Sequence, residues 1–127
     1  MKKRVIIVTL LLIFSIGICL YELYNINNIS KESIENLKTM QMYVEQEDME
    51  SAQTLSEQTK ELWDKNNVML TIFIQHQYVE DILQTLNVMD TALNIEETSD
   101  FFTENTRAIL QISKFSHTEF PKIENIL

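Results

Sequence analysis

The chain has 127 residues, a formal net charge of −9, 45% hydrophobic residues, and a single Gly, Pro and Cys. That length holds one small domain, and the acidic balance argues against nucleic-acid binding because the surface repels phosphate. One Cys leaves no disulfide framework, and a β-protein of this size needs more Gly and Pro turn chemistry than the chain has.

Lys2-Lys3-Arg4 is followed by Val5 to Tyr21, seventeen residues without a charge. As a helix this stretch is about 26 Å long, close to the ~30 Å hydrocarbon core of a bilayer. The basic start keeps residues 1–4 in the cytoplasm and sends the chain beyond residues 5–23 outside. Tyr21 and Tyr24 lie where an aromatic belt belongs. A signal peptide cleaved near Ser15-Ile16-Gly17 is the competing reading, disfavoured because Ile18, Cys19 and Leu20 continue the apolar run. Lipidation at Cys19 is disfavoured by the bulky Ile18 before it. The expected layout is therefore a cytoplasmic segment 1–4, a transmembrane signal-anchor 5–23, a linker or helix continuation 24–29, and an extracytoplasmic helical domain 30–127.

Beyond Tyr24 the chain carries seven Lys and Arg against eighteen Asp and Glu. Ile26, Ile29, Ser33, Leu37, Met40 and Val44 fall on one helical face. Gln46-Glu47-Asp48 ends that helix, with Asp48 as N-cap of the next. A second helix is predicted over Met49 to Ile74, with its seam at Ala52, Leu55, Thr59, Leu62, Asn66, Met69 and Phe73. Trp63 is placed beside this seam as a core-edge residue. A turn is expected at Gln75-His76-Gln77-Tyr78. The third helix has the clearest stripe, Val79, Ile82, Leu86, Met89 and Leu93, with Leu83 widening it. Leu86 should be buried against the second and fourth helices, and Gln84 should face away. Thr98-Ser99-Asp100 offers caps for a fourth helix that carries Phe101, Phe102, Asn105, Ile109, Ile112 and Phe115 or Ser116 inward, with His117 in its last turn. Pro121 blocks further helix, and the tail containing Ile126 and Leu127 is apolar enough to dock back onto the bundle. The fold class is all-α: one N-terminal transmembrane helix, then an up-and-down bundle of three to four helices.

These residues carry a resemblance. Asp48 to Ala52 opens a helix, Trp63 follows near its middle, His76 stands before the third helix, and the chain closes on Asn125-Ile126-Leu127. The chain resembles an uncharacterised family of short single-pass membrane proteins from low-GC Gram-positive bacteria with an extracytoplasmic helical domain. Met49 stands where that family often has Trp. The resemblance implies no established activity, substrate or cofactor, and points to an accessory role beside a small multi-pass membrane protein.

Catalytic signals are thin. His76 and Glu80 stand at i and i+4 with Asp81 adjacent, but no HExxH and no paired Cys accompany them, so a surface His–Glu pair is the better reading. No Ser elbow or Gly-rich phosphate loop is present. Methionines 40, 69 and 89 lie on the apolar stripes as core filler. The acids Glu45, Glu47, Asp48 and Glu50, and Glu96, Glu97, Asp100 and Glu104, flank turns without the Gly and spacing of a calcium loop. No catalytic, cofactor or metal residue is assigned. The expected role is a membrane-anchored interaction or accessory module, not an enzyme, whose partner is another membrane or envelope protein. Trp63, His76, Leu86, Ile126 and Leu127 are the residues for packing or contact. The alternative is a sensor-type ectodomain that binds a small ligand between helices and acts through a membrane partner. A closed core favours the first role, and a pocket lined by Trp63 and polar groups favours the second.

Overall fold

In the computed structural model the backbone is described for residues 1–118 and the side chains for residues 1–114, all described elements being helical. Helix α1 runs unbroken over Lys2–Glu45. At 1.5 Å per residue its 44 residues extend about 66 Å. Asn25 to Asn28 are the polar continuation of one helix, because nothing there removes a backbone donor or forces a positive φ. The helix has two halves. Up to Tyr21 none of its side chains is buried, and this half is long and apolar enough to cross a membrane. From Ile26 onward, Ile26, Ile29, Ser33, Leu37, Met40 and Val44 are all buried, as their spacing predicts.

Helices α2 (Met49–Lys65), α3 (Asn67–Phe73), α4 (His76–Asn94) and α5 (Thr98–Thr118) follow among the described residues. The second half of α1 packs on α2 and α5, and α4 packs on the other sides of α2 and α5. The four long helices thus form a ring of antiparallel neighbours, as short connections require. Short α3 rests against α1, α2 and α4. Gln53 Nε2 donates to the Leu93 carbonyl at 3.1 Å, and Asn105 Nδ2 donates to Gln41 Oε1 at 3.3 Å, which puts the α1–α2 and α4–α5 turns at the same end of the bundle. The apolar half of α1 leaves from the opposite end.

The two turns share one construction. Glu47 has φ 63° and Glu96 has φ 59°. The Glu47 amide donates to the Val44 carbonyl (3.0 Å) and the Asp48 amide to Tyr43 (2.8 Å). Glu96 and Glu97 repeat the pattern on Leu93 (3.2 Å) and Ala92 (2.9 Å). Both are Schellman endings in which a Glu occupies the left-handed position usually held by Gly. Asp48 then caps α2, accepting from the Ser51 amide at 3.3 Å, as the sequence predicts.

Two expectations are corrected. The helix predicted over Met49–Ile74 is two helices, divided at Asn66. Asn66 Nδ2 donates to the Leu62 carbonyl at 2.7 Å, and the Asn66 carbonyl accepts from the Leu70 amide at 2.9 Å, so this residue ends α2 and starts α3. Short polar side chains compete with the helix ladder in this way, and the Asn66-Asn67 pair is the signal for it. The turn expected at 75–78 is tighter. Ile74 is extended, the Gln75 carbonyl accepts from the amides of Tyr78 (3.0 Å) and Val79 (3.3 Å), and His76 already opens α4.

Candidate interaction site

Trp63 lies deeper than its spacing suggests. It is 0% exposed, in the centre of the core, and its indole Nε1 donates to Ser33 Oγ at 2.8 Å. Ser33 in turn donates to the Ile29 carbonyl at 2.7 Å, so a short chain of hydrogen bonds ties α2 to α1. The buried line of α2 is Ala52, Ser56, Thr59 and Trp63. Leu55, Leu62, Met69 and Phe73, expected on the seam, are only half-buried at its edge. The inward face is turned by one residue because its polar members find partners. Ser56 Oγ donates to Asp90 Oδ1 at 2.9 Å, and Lys60 Nζ meets Asp90 Oδ2 at 3.2 Å. A carboxylate this deep stays in the core only when paired. Asp90 is hard to find from the sequence because it sits one position from the Met89 stripe and reads as solvent-facing.

His76 Nε2 lies 3.0 Å from Glu80 Oε1, with the two side chains 69% and 58% exposed. This is a surface pair on the first turn of α4. Among the described residues no group of three or more His, Cys, Asp or Glu side chains is arranged to hold a metal ion. Leu86 is fully buried on α4, which packs on α2 and α5. In α5, Phe101, Asn105, Ala108 and Ile112 are buried, while Phe102 and Ile109 are half-buried. The side chains of Phe115, Ser116 and His117, and the tail with Pro121, Ile126 and Leu127, lie outside the described residues. The two acidic clusters meet at one end, beside the Schellman turns.

The surface feature the sequence did not single out is a furrow between α4 and α5. Three depressions of about 490, 230 and 420 Å³ follow one another along it: Val88 and Glu104 line both the first and the second, and Arg107 and Gln111 line both the second and the third. Ile95 lies at one end and Leu110, 63% exposed, at the other. Among the described residues, Val88, Ile95 and Leu110 are three of the few large apolar side chains exposed outside the first half of α1. The signal was available: Val88 and Leu110 fall outside the buried stripes of their helices, at positions where a solvated face carries polar residues.

This bundle and its turns lie almost wholly within residues 20–126, and that segment matches the family model described as a domain of unknown function, DUF4363. The chain belongs to the DUF4363 family. No curated protein and no solved structure matches it. The DUF4363 domain thus includes the end of the apolar half of α1 together with the bundle. The residues behind the resemblance play different parts in it: Asp48 caps α2, Trp63 fills the core, and His76 opens α4 at the surface.

Proposed function

We propose that the first half of α1 is an uncleaved membrane anchor, with Lys2-Lys3-Arg4 inside the cell, and that the bundle is an extracytoplasmic docking module for another membrane protein. The observation that carries this reading is the α4–α5 furrow with exposed Val88, Ile95 and Leu110 along it. A furrow between two helices takes the apolar face of a third, with anchors one turn apart. Helix α1 continues from the anchor into the bundle, so the furrow is held at a fixed height for a partner in the same membrane. The sensor reading has less support. Trp63, the aromatic residue on which a ligand would stack, is sealed in the core against Ser33.

The test uses a photo-crosslinking amino acid placed at Val88, Leu110 or Glu61 in the full chain, in native membranes. Glu61 is exposed on α2, outside the furrow. The docking reading predicts one discrete membrane protein captured from Val88 and Leu110 and not from Glu61, with Leu110→Asp abolishing capture from Val88. The same products from all three positions, or capture from Glu61 alone, would contradict it.

A further inference from the structure

Helix α3 has no evident structural reason to display what it displays. Its inner side buries Leu70 and, at its end, Ile74, with Met69 and Phe73 at the edge of the core. Its outer side presents Val68 and Ile72, 75% and 70% exposed, one helical turn apart. Ten residues in a row, Asn66 to Gln75, carry no charge, in a domain rich in acids. A solvated helix face is normally polar.

Helix α3 rests on α1, α2 and α4, and its height along α1 follows from pairs made by α2 and α3. Trp63 bonds Ser33, Asn36 Nδ2 donates to Thr59 Oγ1 at 3.2 Å, and Asn25 Nδ2 lies 3.6 Å from Met69 Sδ. These pairs define one antiparallel register running down α1. It sets Met69 beside Asn25, and one turn further on it brings Ile72 level with the segment from Tyr21 to Tyr24. That segment is where the apolar half of α1 ends, and Tyr21 and Tyr24 are each 65% exposed. From Tyr21 to Asn25 the helix rises only about 6 Å, about the depth of a headgroup layer. Two of the acidic clusters lie at the opposite end of the bundle, and the charged residues nearest before α3 are Asp64 and Lys65 at the end of α2.

We infer that α3 is a membrane foot: Val68 and Ile72 lie in the lipid interface of the bilayer that α1 crosses, beside Tyr21 and Tyr24. The inference rests on the reading of α1 as a membrane span. Apolar side chains gain from entering the interface, and no carboxylate lies in the stretch Asn66 to Gln75 that carries them. Anchor and foot together give the bundle two points of contact with the membrane, which stops it from tilting and fixes which way the α4–α5 furrow faces.

The test is depth-dependent quenching in proteoliposomes of phosphatidylcholine containing the full chain. In a Cys19→Ser background, single cysteines at Phe14, Met42, Val68 and Ile72 carry an environment-sensitive fluorophore, and doxyl-lipids are the quenchers. Phe14 reports on the span, and Met42, 56% exposed near the acidic end, is the aqueous control. The expected result is that lipid labelled near the headgroup quenches the probes at Val68 and Ile72 several-fold more than the probe at Met42. The deep-labelled lipid quenches the probe at Phe14. Quenching at Phe14 with the Val68 and Ile72 probes as unquenched as Met42 overturns the foot and leaves the anchor standing. No quenching at Phe14 overturns the anchor itself, and the foot with it.

Discussion

Ser33 and Ser30 are three residues apart on α1, both buried, and they make opposite predictions. Ser33 accepts from the Trp63 indole at 2.8 Å, whereas Ser30 Oγ has no hydrogen-bond partner among the described residues. In Ser33→Ala the indole N–H becomes a buried donor without an acceptor, which costs about 1–3 kcal/mol. In Ser30→Ala an unpaired hydroxyl leaves the core and a better helix former replaces it, so stability should rise by about 0.5–1 kcal/mol. Thermal unfolding of the full-length chain in detergent, followed by far-ultraviolet circular dichroism, should show Ser33→Ala melting below the parent and Ser30→Ala above it. Trp63→Phe keeps most of the ring volume and should resemble Ser33→Ala.

At the scale of the element, the stripe of α4 and the turns at α1 and α4 are the parts to test. Leu86 is fully buried and Gln84 is exposed on the same helix. Leu86→Asp places an unpaired carboxylate in the core and should remove most of the ~5–10 kcal/mol that hold a domain of this size together. Gln84→Asp should cost under about 1 kcal/mol. Equal loss in both variants would mean the helix phase is wrong. At the turns, Glu47 and Glu96 hold left-handed backbone at a cost Gly avoids, so Glu47→Gly and Glu96→Gly should each stabilise by about 1 kcal/mol. Gln46→Gly, one residue earlier at φ −86°, should destabilise instead.

The same elements mark what could be read from the sequence. The buried faces of α1 and α4 follow apolar spacing, because Ile, Leu, Met and Val occupy most of their inward positions. Helix α2 does not: its inward line is Ala52, Ser56, Thr59 and Trp63, and hydropathy points to the larger Leu55 and Leu62 beside it. Pairing of Ser56 with Asp90, Thr59 with Asn36 and Trp63 with Ser33 makes that line buriable, and such pairings join residues more than twenty positions apart. The break at Asn66 was hidden for a related reason, since the apolar period runs on through it. The furrow required knowing that α4 and α5 lie side by side.

On the scale of the whole molecule, the fold is one long lever. A helix of about 66 Å carries an apolar half and a bundle half without interruption, so any tilt of the first moves the second. Acid is concentrated at the far end, apolar surface near the middle on α3, and the α4–α5 furrow along the flank. Anchoring by α1 with the bundle outside is tested most directly by protease added to intact cells stripped of their wall, followed by an alkaline carbonate wash of the membranes. The bundle should be digested from outside, while chain from untreated cells should stay full-length in the washed membrane pellet. A soluble form beginning near Ile18, or a bundle protected until the cells are lysed, would contradict it.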